Sequence, residues 1–174
     1  MASFRDQQDQ AAEKSRELVL QMLSHTPAPF SRRQFKPGHI TCTGLALDPE
    51  RKAFLLVHHR RLDRWLLPGG HVERPDAEIW DTARREVTEE TGALLAPSQQ
   101  PLLVGVDVHG IPPGRGEPFH LHHDLIFGFQ AVSIEVAPTK EVRSVAWCEV
   151  GDWERYDVAV SIRLGVLRAL DGGY

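Results

Sequence analysis

Residues 65–93 read WLLPGGHVERPDAEIWDTARREVTEETGA: a short apolar run, a Pro-Gly-Gly bend, then a stretch with helix punctuation at both ends. Asp76 is the expected N-cap, and Gly92 stands where a helix terminates in the left-handed conformation. Ile79, Ala83 and Val87 recur at i, i+4 and i+8 and would bury one face, so the spacing predicts a helix over 76–91. Glu86, Glu89 and Glu90 fall on that helix. At roughly 100° per residue, Glu86 and Glu90 project about 40° apart and Glu89 about 60° from Glu86, which makes one negative patch. Such carboxylates repel one another, and the helix dipole disfavours anions in the last turns. Arg84 and Arg85 offset part of this charge. Converging carboxylates also supply the all-oxygen ligands that suit magnesium or manganese better than zinc. A charge run on a helix is commonly a solvated face, and spacing alone leaves that alternative open. The bend at 68–70 favours the cation, because glycine lets backbone carbonyls approach the same shell.

Working outward, the 174 residues suit one domain with a short appendage. A helix is expected over 6–23, with Ala11, Leu18, Val19, Met22 and Leu23 as its apolar positions. The three prolines of 25–38 mark a linker, so the division is 1–37 for helix and linker and 38–174 for the domain proper. Strands over 40–47 and 53–58, joined by the turn at 48–51, predict an antiparallel hairpin. One strand is expected over 65–70, and others over 102–109, 119–132 and 141–148, with 111–118 as a loop. A closing helix over 156–170 would turn Val160, Ile162, Leu164 and Leu167 inward and end at Gly172 and Gly173. Without regular strand-helix alternation, the class is α+β: a mixed sheet with helices outside.

The run at 70–93 resembles the Nudix signature, G-x5-E-x7-R-E-U-x-E-E-x-G-U with U aliphatic, and Leu66 to Gly69 is similar to the usual approach to it. Two departures stand out: Asp76 replaces the signature glutamate, and eight residues rather than seven separate it from Arg85. Both fall in the loop, upstream of the Arg85 to Gly92 cluster. The resemblance implies a Nudix-type α/β/α sandwich over about 38–170, with the N-terminal helix as an extension. It implies a hydrolase that cleaves a diphosphate linkage in a nucleoside diphosphate-X substrate by water attack on phosphorus, with Mg2+ or Mn2+ as cofactor. Position by position, it implies Glu86 and Glu90 as metal ligands and Glu89 as a further one, direct or through water. It also implies a carbonyl from Gly69 or Gly70, and Arg85 holding the carboxylates in orientation by a forked pair. The family takes one more carboxylate later in the chain, and Glu141 is the candidate here. Glu89 and Glu141 both remain open as general base.

Arg60, Arg61 and Arg64 precede the loop and either contact substrate phosphates or are solvated charges. His120, His122 and Asp124 alternate along a predicted strand, with His123 on the other face. That spacing fits a transition metal, or a polar face that contacts substrate without one. His71 and His109 join this group weakly.

The formal net charge of −4 argues against a protein that lives on nucleic acid polymers. Apolar runs such as 102–106 are too short to span a membrane, and polar residues 1–16 are unlike a signal peptide, so the expected location is the cytoplasm. Cys42 and Cys148 are expected reduced and buried. The expected partner is a small-molecule diphosphate, and the N-terminal helix would cover the sheet or form a homodimer. Two competitors remain: a sensing module on the same fold, and a histidine-metal enzyme built on His120, His122 and Asp124.

Overall fold

The computed structural model describes residues 4–97, 100–114 and 116–172. Helix α1 (Phe4–His25) leads through the linker to β1 (Gly38–Leu47) and β2 (Ala53–His59). The expected single strand at 65–70 is split by Leu67 and Pro68 into β3 (Arg64–Leu66) and β4 (Gly69–His71). After α2 (Ile79–Thr91) come β5 (Leu102–Ile111), β6 (His120–Gln130), β7 (Val142–Glu149), a 3-10 turn (Trp153–Tyr156) and α3 (Val160–Asp171).

The sheet is mixed, as expected. Its central path runs β3-β2-β1-β6-β5, with β4 on β1 and β7 on β2. The hairpin between β1 and β2 is antiparallel but meets only at Leu47 and Phe54. The long partner of β1 is β6, parallel in unbroken register from Gly38 opposite Leu121 to Leu47 opposite Gln130. Parity along β1 then assigns the layers. Ile40, Cys42 and Ala46 pack toward Ala83 and Val87 of α2, while Leu45 and Leu47 pack toward Ile162, Val166 and Ala169 of α3. The β1–α2 contact is close because β1 carries Gly44 there, where a Cβ would stand 2.2 Å from Val87 Cγ2.

Several boundaries differ from expectation for local reasons. Asp76 does not cap α2: the helix starts at Ile79, with Glu78 as N-cap and its N–H bonded to Asp81 Oδ2 at 2.9 Å. Gly92 closes the helix in the left-handed conformation at φ 67°, as expected. In α3 the inward stripe is Ile162, Val166 and Ala169, Leu164 and Leu167 are half-buried and Val160 is exposed, because packing against Leu45 and Leu47 of β1 selects this phase. Gly172 follows its end, and Gly173 lies outside the described residues. Val19 and Met22 of α1 are buried as expected, but Ala11, Leu18 and Leu23 are exposed. Cys42 and Cys148 are both free and buried. No helix among the described residues is long and apolar enough to cross a membrane.

Candidate active site on helix α2

The sheet seats α2 so that Glu86 and Glu90 turn inward beneath β4, while Glu89 stays outside. Glu86 is 9% and Glu90 7% exposed, which removes the solvated-face alternative for these two. A Cβ on Gly70 would fall 2.3 Å from Glu86 Oε1, so the missing side chain is the space that the carboxylate fills. On the next turn, Glu90 Oε2 accepts the Gly69 N–H at 3.3 Å. Both glycines of the bend therefore meet the acidic helix.

Arg85 organises the cluster from one side. Its Nε and Nη2 each donate to Asp76 at 3.2 Å, Nη1 donates to Glu86 at 2.7 Å and Glu89 at 3.1 Å, and Nη2 also donates to the His71 carbonyl at 3.0 Å. The fork expected on the signature glutamates thus grips Asp76, while the glutamates receive single bonds. Asp76 also accepts from the Glu73 N–H at 2.9 Å and Thr82 Oγ1 at 2.8 Å, so it braces the loop. Burial opposes its ionisation, but Arg85 and these donors hold its carboxyl below the ordinary value.

The charge balance is uneven. Burial raises the carboxyl of Glu86, with Arg85 working against it. Burial, together with the charge of Glu86, pushes Glu90 up to about 8. Among the described residues Glu90 has no cationic partner. Glu141 is exposed, immediately before β7. Its charge still bears on Glu86 and Glu90, because backbone bonds from Ala137 to Thr91 and Thr139 to Glu90 tie this segment to the end of α2.

Arg60 and Arg61 lie in the β2–β3 turn and Arg64 opens β3, beside the start of β7, through His59 opposite Val142. Arg64 pairs with Asp157 at 3.6 Å, and the Arg60 carbonyl accepts from Arg143 at 3.3 Å. Neither guanidinium is brought onto the glutamates.

His120 and His122 share a face of β6 with Asp124, as expected, but Asp124 does not join them. It is buried, and its carboxylate takes the hydroxyls of Thr41 at 2.9 Å and Thr43 at 2.7 Å. Their partner is His39, placed beside His122 by the parallel pairing of β1 and β6. The rings of His71 and His109 complete the group, 5.3 and 5.6 Å from that of His122. Burial and neighbouring imidazoles push His71 down to about 4 and His122 down to about 3. Sequence reasoning missed His39 because nothing local signals a strand pairing across some eighty residues. A cavity of about 280 Å³ between α1, β5 and α3 shares no lining residue with the glutamate cluster.

A family model for the NUDIX domain matches residues 38–166. No curated protein matches the chain. Among solved structures, the chain is similar to the MutT protein from Methanosarcina mazei Go1, at 21% identity and TM-score 0.58, covering 76% of this chain and 92% of that one. It is also similar to the NUDIX domain of Shewanella oneidensis NrtR, solved with ADP ribose, at 18% identity and TM-score 0.55, covering 87% and 96%. A NUDIX hydrolase from Nitrosomonas europaea aligns at 19% identity and TM-score 0.53, covering 76% and 87%. At such identities these likenesses speak for the fold. The family match spans most of the chain, including the glycine bend and the acidic helix, and with it the chain belongs to the Nudix family, hydrolases that cleave pyrophosphate bonds of nucleoside diphosphate derivatives.

Proposed function

We propose that this hydrolase depends on a divalent cation, Mg2+ or Mn2+, held by Glu86 and Glu90, with Glu89 and the Gly70 carbonyl completing the shell. The observation that carries the reading is Glu90: a buried carboxylate beside Glu86, with no cation among the described residues to balance it. Burying unbalanced carboxylates is costly, and a hard cation is what this donor set suits. When bound, the cation neutralises diphosphate oxygens and makes water a better nucleophile.

The residues of the chain then have distinct tasks. Arg85 holds Glu86 and Glu89 while its fork on Asp76 fixes the loop that carries the glycines. Glu89 or Glu141, both exposed, takes the proton from water as its oxygen attacks phosphorus, and the bond to the bridging oxygen breaks to release a phosphate leaving group. The substrate class is a nucleoside diphosphate linked to a second moiety, a small molecule rather than a polymer, given the net charge of −4. Arg60, Arg64, His120 and His122 stay outside these assigned roles. The setting we infer is the cytoplasm, with a homodimer formed through α1, whose Leu18, Leu20 and Leu23 face outward.

A panel of nucleoside diphosphate derivatives, assayed with Mg2+ and then Mn2+, tests the reading on wild type and Glu90→Gln. We expect cation-dependent turnover, with kcat/KM falling about a thousandfold in the variant, equivalent to ~4 kcal/mol of transition-state stabilisation. Turnover without added cation, or unchanged in Glu90→Gln, would overturn it.

A further inference from the structure

Three imidazoles from two neighbouring strands meet on the sheet face opposite α2. His39 stands directly across from His122, and His120 lies two residues before His122 on the same face. Their ligating nitrogens all lie within 4.8 Å of one another. Nδ1 of His39 is 3.1 Å from the Gln34 carbonyl oxygen, and Nδ1 of His120 is 2.9 Å from that of Pro118. A carbonyl only accepts, so each Nδ1 carries the proton and each Nε2 keeps its lone pair. His39 is 1% exposed, and its Nε2 has no hydrogen-bond partner. A buried polar atom left so is costly unless a ligand engages it. The ring neighbours of His39 are the imidazoles of His71, His120 and His122. One nitrogen fixed by a carbonyl and the other left bare is how metal-binding histidines are held.

We propose that His39, His120 and His122 form a second metal site, for a divalent transition-metal ion of the zinc class, separate from the glutamate helix. Imidazole nitrogens suit such ions, whereas Mg2+ takes oxygen. Three protein ligands leave a fourth position for water or an incoming ligand, the pattern of reactive rather than purely structural zinc. Tetrahedral zinc–nitrogen bonds of about 2.0–2.1 Å bring the nitrogens roughly 3.3 Å apart, so the rings draw together on binding while the paired strands stay in place. The linker roofs the site: the Phe35 ring lies 5.1 Å from that of His120, and Gln34 supplies the carbonyl that orients His39. The proposal shares no ligand with the glutamate cluster and does not depend on its role.

Titrating metal-free protein with Co2+ reads the site through visible ligand-field bands, with Zn2+ as competitor and circular dichroism as the check on folding. We expect one Co2+ per chain with intense tetrahedral bands, displaced by one equivalent of Zn2+. The affinity should fall at least about a hundredfold in His122→Ala and, independently, in His120→Asn. The bands should persist in Glu86→Gln/Glu90→Gln. No bands in wild type, or bands surviving in the folded histidine variants, would overturn the proposal. So would their loss in the glutamate variant, which would place the ion on α2. Should His122→Ala fail to fold, His120→Asn decides.

Discussion

Replacing Gly44 by alanine puts a methyl group where α2 rests on the sheet. The new Cβ would stand 2.2 Å from Val87 Cγ2, 3.0 Å from the Ala83 carbonyl oxygen and 3.5 Å from Phe129 Cε2. Carbon atoms settle at about 3.5–4.0 Å, so Val87 must yield by more than an ångström. As a β-branched residue in a helix it has essentially one rotamer, so the helix itself must lift. Overpacking of this kind costs about 2–3 kcal/mol, which for a chain of this size lowers Tm by roughly 5–10 °C. Val87→Ala alone leaves a cavity costing about 2 kcal/mol. In the double variant the methyl added at position 44 occupies the space that the valine side chain gives up. The pair should therefore lose only about 2 kcal/mol, a coupling of about 2–3 kcal/mol in its favour. Urea and thermal melts on the four proteins measure this cycle. Because Glu86 and Glu90 ride on the lifted helix, turnover should fall in Gly44→Ala and partly recover in the double variant. Additivity within about 0.5 kcal/mol would refute the packing argument.

Glu90 makes the metal-free protein sensitive to pH. Its carboxyl titrates near 8 in the fold against an ordinary 4.5, so the stability its proton contributes is fully present below about 4.5 and is lost as pH rises through 8. Glu90→Gln should therefore melt increasingly above wild type as pH rises across that window, and saturating Mn2+ should close the gap by stabilising wild type alone. Parallel pH profiles for the two would refute it. In Arg85→Lys the fork on Asp76 becomes a point contact, and we expect a loss of about 1–2 kcal/mol in urea melts with kcat/KM down roughly 10- to 100-fold. Wild-type values on both measures would mean that the guanidinium geometry is not what orients the cluster.

The parts of the fold legible in the sequence are those that local spacing encodes. The stripe of Ile79, Ala83 and Val87 and the closing Gly92 describe α2 to its last residue, and the glutamates follow from its pitch. The start of α2 is not legible in the same way, because Asp76 has the chemistry of a cap but spends its carboxylate on Arg85 and Thr82. Alternation locates His120 and His122 on one face of β6. It cannot supply His39, because the ligand comes from a parallel strand whose pairing no turn announces. In α3 the pattern of apolar residues allows two phases, and packing against Leu45 and Leu47 selects the one led by Ile162.

The roof that residues 34 and 35 build over His39 and His120 separates two notions of a unit in this protein. What recurs across the family begins with β1, yet the tautomer of the first histidine on that strand is dictated by a carbonyl from the connector before it. Trimming the chain to the recurrent portion would leave that imidazole free to rotate and wet, even with every strand in place. The connector is thus a fitted wall of the molecule rather than a tether, and inheritance and mechanics draw its border in different places.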